Sequence, residues 1–156
     1  MSTEVGVFAR YYTQIEQAIA VGLASGRVVS VDFKSTVPSD ADEDHTLLDR
    51  IDTYLSGDTD HLADVDIALT VPTDQRRVLE ATRNIPHGEA VTLDRVLRMA
   101  GLDEDDTDNR STARRALDEN PIPLIVPDHR VRDTPSGAPS EIVTQLRNIE
   151  HIDTVS

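Results

Sequence analysis

The run from Asn120 to Val131 reads Asn-Pro-Ile-Pro-Leu-Ile-Val-Pro-Asp-His-Arg-Val. It is an apolar stretch of strand length that delivers one polar cluster, Asp128, His129 and Arg130, directly after Pro127. No other stretch of the chain looks so clearly built for chemistry, and the elements around it must bring partners to those side chains.

The spacing of apolar residues changes along the chain. From Gln17 to Phe33 two strand-like runs flank Ala24, Ser25 and Gly26, with Val28, Val29, Val31 and Phe33 supplying β-branched and aromatic character. A hairpin follows, although Tyr11, Tyr12, Ile15, Ala18 and Ile19 also fit helical spacing. Leu47, Leu48, Ile51, Tyr54 and Leu55 form the stripe of an amphipathic helix ended by Gly57. Pro72 and a change of charge balance place a domain boundary near residues 70–73, giving domains 1–70 and 71–156.

Beyond it the pattern is helical: about 73–84 capped by Thr73, then a turn at Ile85 to Gly88, then a helix capped by Thr92 and stopped by Gly101. An acidic connection over 103–109 leads to a helix over about 111–119, and a last helix spans 140–149. Two short helices joined by a turn, the second rich in arginine, suggest a helix-turn-helix. The class is α+β.

With 29 acidic against 15 basic residues the formal charge is -14, and Lys34 is the only lysine. Such a surface stays hydrated in concentrated salt, which points to a salt-loving cytoplasm; an ordinary acidic protein is the alternative. Acidity opposes DNA binding, because phosphate contacts supply most non-specific affinity. The distribution softens the objection: residues 1–70 carry 13 acids and 4 bases, whereas 71–132 carry 12 acids and 10 arginines. No segment approaches the ~18 apolar residues that cross a bilayer, and no secretory pattern opens the chain. The expectation is a soluble, cytoplasmic protein with no membrane partner.

The segment Asn120 to Val131 resembles the active-site segment of the O6-alkylguanine-DNA alkyltransferases: Asn-Pro, a short apolar run, then Pro-Cys-His-Arg-Val. Ile85, Pro86, His87, Gly88 and Glu89 strengthen the likeness. Asp128 stands where that family has its alkyl-accepting cysteine, and the chain has no cysteine at all. The resemblance implies a small α/β N-terminal domain and a helical, winged-helix-like DNA-binding domain, working as a monomer without cofactor or metal. It also implies that Asn120 ties the recognition helix to the site loop, that His129 is the histidine serving the nucleophile, and that Glu150 orients it. Arg130 is the family's largely structural arginine, grouped here with Arg110, Ser111, Arg114 and Arg115 as the DNA-binding set. Ser111 falls where the family inserts an arginine into the base stack, and Leu93 where it has a tyrosine. The segment from Arg132 to Ser140 is shorter than the family's substrate loop.

Alkyl transfer requires a soft thiolate, and a carboxylate is a far poorer acceptor. The sequence therefore predicts a degenerate site of Asp128, His129, Glu150 and Asn120 in a non-enzymatic DNA-binding protein. Such a protein would bind double-stranded DNA, including alkylated DNA, and signal to repair proteins. The competing reading is a regulatory or protein-interaction module. Hydrolysis or transfer through Asp128 and His129 ranks last for want of a recognisable substrate pocket. Further alternatives are a loop-capping Asp128, a core His129, arginines paired with neighbouring acids, and metal binding by Asp128, His129 and Glu150.

Overall fold

The computed structural model describes residues 5–58 and 62–152. The chain divides into two compact units, one up to Ala68 and one from Leu69 on.

In the first unit, β1 (Gly6–Tyr12), β2 (Gln17–Ala24) and β3 (Arg27–Lys34) form an antiparallel sheet in the order β1-β2-β3. Ser25 and Gly26 both take positive φ, 53° and 76°, the two-residue turn whose twist matches that of the strands it joins. The Tyr11–Ile19 segment is strand, turn and strand rather than helix. Tyr11 pairs with Ala18 and Tyr12 with Gln17, so its backbone groups enter the ladder. Both sheet edges are covered in part: Ala9 N–H donates to the Asp42 carbonyl and Val28 N–H to that of Asp66, each at 2.9 Å. Helix α1 (Thr46–Leu55) buries Leu47, Leu48, Ile51, Tyr54 and Leu55, and the Tyr12 hydroxyl, donating to the Leu48 carbonyl at 2.8 Å, fixes it to the end of β1.

In the second unit α2 (Thr73–Arg83), α3 (Leu93–Met99) and α4 (Thr107–Asp118) pack on one another, and α5 (Ser140–Ile149) packs on a 3-10 turn at Asp128–Arg130. Three expectations need correction. Thr73 is the first helical residue of α2, not its cap; Pro72 precedes it and no side chain caps the end. Helix α4 begins at Thr107 within the acidic connection, because Asp106 accepts from the amides of Asp108 and Asn109 and so starts the helix early. The run before Pro127 is not a strand. Prolines 121, 123 and 127 carry no N–H for a ladder, and Leu124 takes a φ of 79°. The run winds through the core instead, burying Ile122, Leu124, Ile125 and Val126. Thr92 does cap α3, its hydroxyl accepting from Arg95 N–H at 3.3 Å. Among the described residues no helix is long and apolar enough to cross a membrane.

Candidate functional site

The tight turn after Pro127 closes when Arg130 N–H donates to the Pro127 carbonyl and Val131 N–H to that of Asp128, each at 3.0 Å. It sends three consecutive polar side chains into the interior, where Asp128, His129 and Arg130 are all buried. Buried polar groups need partners, and here the partners form two separate networks.

The first surrounds Asp128. Its Oδ1 accepts from the Ser136 hydroxyl at 2.5 Å, and its Oδ2 accepts from Gly137 N–H at 2.8 Å and Asn120 Nδ2 at 3.0 Å. Asn120 also donates to the Val126 carbonyl at 3.1 Å and accepts from Ile122 N–H at 3.0 Å, so one side chain joins the end of α4 to the turn. Burial pushes the Asp128 carboxyl above its ordinary value, and the donors from Ser136, Gly137 and Asn120 oppose that shift in part. A carboxylate held by three donors at 2% exposure is a structural anchor.

Gly137 packs so closely that a Cβ built there would lie 2.3 Å from the Asn120 carbonyl oxygen. Gly137→Ala should therefore displace the loop and destabilise the protein by about 1–3 kcal/mol. Amide hydrogen exchange at residues 136–138 should accelerate well beyond any change in α5. Unchanged protection in that segment would show that the loop does not depend on this close approach.

The second network centres on Glu150, which follows α5. Its Oε2 lies 2.5 Å from His129 Nε2, its Oε1 accepts from Arg130 Nε at 2.8 Å and from Gly88 N–H at 2.9 Å, and Arg130 Nη2 reaches Oε2 at 3.1 Å. Burial alone would raise the Glu150 carboxyl; His129 and Arg130 together outweigh it and hold the group well below the usual carboxylate range. Gly88, at φ 83°, occupies the left-handed region that glycine enters without strain and so turns its amide onto the carboxylate. Arg147 completes the strap, donating from Nε to the His129 carbonyl at 2.8 Å and from Nη2 to that of Val131 at 3.1 Å.

Several expectations about the DNA-binding set change here. Arg130 is buried, and its Nη1 donates to the Ile85 carbonyl at 2.7 Å, so it is committed to the fold and cannot reach a phosphate. Arg110, in the first turn of α4, is bound to the Asp94 carboxylate and donates to the Glu104 carbonyl at 3.1 Å. Ser111, Arg114 and Arg115 are exposed on α4. Arg115 lies 3.6 Å from Glu119 in a solvent-facing pair, and Arg114 Nη1 reaches the Asp133 carbonyl at 3.4 Å. Leu93 is buried in α3 and offers nothing to a ligand. Asp128 and Glu150 belong to different networks, and among the described residues no three His, Cys, Asp or Glu side chains group as metal ligands.

Sequence reasoning missed Ser136, Gly137 and Arg147. A Ser-Gly pair in a short loop gives no sign of its partner eight or nine residues earlier. It also missed a pocket: a cleft of about 460 Å³ opens between the loop over residues 133–138 and α5, with Asp118 at its rim. Ser136 lies on its wall, whereas Asp128 does not.

Residues 73–148 match the family model described as the 6-O-methylguanine DNA methyltransferase DNA binding domain. A methylated-DNA–protein-cysteine methyltransferase from Methanothermobacter thermautotrophicus is 36% identical over 91 residues, covering 54% of this chain and 46% of the relative. The chain thus spans less than half the length of that relative. The whole chain shares its fold with the O6-methylguanine methyltransferase of Mycobacterium tuberculosis, at a TM-score of 0.72 and 19% identity over 98% of this chain and 97% of that one. The crystal structure of the same organism's OGT in complex with DNA gives a TM-score of 0.70 at 21% identity, covering 92% and 91%. Residues 73–148 are thus similar to the 6-O-methylguanine DNA methyltransferase DNA binding domain, in a chain that has no cysteine.

Proposed function

We propose that this protein binds double-stranded DNA through α4 and transfers no alkyl group. The observation that carries the first part is the pair Arg114 and Arg115, exposed on the second helix of an α3-turn-α4 arrangement inside the matched domain. A relative of the same fold is known in complex with DNA. The second part rests on Asp128, buried and held by three donors where the resemblance calls for a reactive thiol. His129 and Arg130, joined to Glu150, then serve the fold that presents α4. A role in alkylation repair follows as recognition and signalling to repair proteins.

The test is fluorescence anisotropy on plain and O6-methylguanine duplexes across a salt series. Arg114→Ala/Arg115→Ala should weaken binding and lower the slope of log K against log salt by about 0.9 for each phosphate no longer neutralised. Arg110→Ala, which breaks an ion pair within the fold, should leave the slope nearly unchanged. Binding and slope indifferent to the Arg114/Arg115 change would overturn the DNA reading in favour of a protein-interaction module.

A further inference from the structure

The two faces of the sheet in the first unit are finished differently. Cross-strand partners project to the same side, so one side carries the rows Val7-Gly22-Ser30, Ala9-Ala20-Asp32 and Tyr11-Ala18-Lys34. The other side carries Tyr12, Ile19, Val21 and Val31, all buried. On the first side the chain supplies a partial cover. Asp42 is joined to the outer edge of β1, its N–H donating to the Val7 carbonyl at 3.1 Å and its carbonyl accepting from Ala9 N–H. The segment from Lys34 to Asp42 therefore crosses this face, and the small side chains of Ala9, Ala18 and Ala20 are buried there. The cover is incomplete. Val7 stays 41% and Tyr11 45% exposed, and a groove of about 260 Å³ remains open, with Val7, Ala20 and Gly22 on its floor and Pro38, Asp32 and Asp40 along its border.

Charge decides what fits this face. Asp32, Asp40 and Lys34 in the groove sum to -1, and residues 1–70, with 13 acids and 4 bases, sum to -9. DNA, an anionic membrane and a second copy of this chain all bring like charge to it, whereas a cationic polypeptide brings the opposite. An arginine or lysine side chain suits such a groove, its methylene stem against Val7, Ala20 and Pro38 and its head in water beside the carboxylates. We propose that this face docks a cationic segment of another protein in which apolar residues adjoin arginine or lysine, the apolar side chains covering Val7 and Tyr11 and the cations meeting Asp32 and Asp40. The face lies wholly within the first unit, so the inference stands apart from duplex binding by α4.

The probe is a labelled eight-residue peptide, Arg-Arg-Val-Val repeated twice, in which each side of an extended chain presents both residue types. Its controls are Arg-Arg-Ser-Ser and Glu-Glu-Val-Val repeats, all titrated into the full chain by fluorescence anisotropy. The arginine-valine peptide should bind at least about tenfold more tightly than the arginine-serine one, through the apolar area it covers, and the acidic peptide should not bind. That preference should persist at 1 M salt, where charge is screened within ~3 Å. Val7→Thr/Tyr11→Thr should abolish it while leaving the arginine-serine affinity unchanged. Both residues are exposed and threonine keeps strand propensity, so the variant should fold normally by circular dichroism. Asp32→Asn/Asp40→Asn should weaken the arginine-valine peptide about twofold to fivefold, the effect of exposed ion pairs. Equal affinity for the two arginine peptides, no binding at millimolar concentration, or a preference that survives Val7→Thr/Tyr11→Thr would overturn the proposal. A dimer of the unaltered chain that the same variant dissolves would give the face to a second copy, and a parallel loss of duplex affinity would give it to DNA; either result overturns the proposal as well.

Discussion

Replacing Glu150 with alanine should destabilise the second unit by about 3–5 kcal/mol, because it leaves a buried guanidinium and a buried imidazole without their shared carboxylate. For a unit of this size that corresponds to a fall in Tm on the order of 15–30 °C. The Glu150 and His129 side chains are fully buried and that of Arg130 is 5% exposed, so solvent screening does not reduce the effect as it would at the surface. Glu150→Gln should fall between the two, since the amide keeps one acceptor but turns its NH2 toward donors from Arg130 or His129. Thermal and urea unfolding would measure both, and an alanine variant melting within a few degrees of the parent would sink the idea. The pH dependence carries the same signature. The Glu150 carboxyl is held below its ordinary value in the fold, so its stabilisation is complete above the unfolded carboxylate range and is lost as pH falls toward the lower folded value. Asp128 acts in the opposite sense: its carboxyl is raised by burial, and protonation in mild acid relieves a cost. The Glu150→Ala variant should therefore lose stability less steeply with acid than the parent does.

Asp128→Cys should restore the resembled motif and still fail to repair duplex DNA, and the unaltered protein should acquire no label from DNA carrying labelled O6-methylguanine. The first reason is energetic. Cysteine cannot replace the acceptor of Ser136, Gly137 and Asn120; orphaning the buried Asn120 amide costs on the order of 1–3 kcal/mol, and the part-buried Ser136 and Gly137 donors lose the contact that holds their loop. The second is geometric, since Asp128 is 2% exposed and does not line the neighbouring cleft. A thiol in its place would meet no extruded base without the loop opening. The third we infer from the resemblance: Ser111, with Arg110 beside it, stands where the family inserts an arginine into the base stack, so that arginine is displaced or absent, and Leu93, at the tyrosine position, is buried. Single-turnover demethylation of duplex DNA and of O6-benzylguanine measures this directly. Repair of the duplex by the cysteine variant, or covalent label on the parent, would show that the flipping apparatus or the chemistry survives.

Local pattern is enough for much of the framework. The β-branched run before Phe33 with its Ser-Gly turn, the stripe from Leu47 to Leu55, Thr92 as a cap and the helix from Ser140 each report a period that nearby residues alone enforce. The same locality misleads where charge density imitates a loop, so that Asp106 reads as part of a connection although its oxygen starts α4. It misleads again where apolar length imitates a strand, because prolines 121, 123 and 127 remove the donors a sheet would need.

The sequence by itself determined which residues carry the polar cluster, that no thiol is among them, and, through the resemblance, that Asn120, His129 and Glu150 accompany it. Only the tertiary structure decided what each one faces. Arg130, largely structural by the resemblance yet grouped with the DNA-binding arginines, is buried against Glu150 and the Ile85 carbonyl. Arg110 is bound to Asp94, and Asp128 anchors a loop through Ser136 and Gly137. The reason is physical: a charged side chain's role depends on whether water or another protein group satisfies it. Those partners lie between 8 and 45 residues away along the chain, beyond the reach of any local pattern.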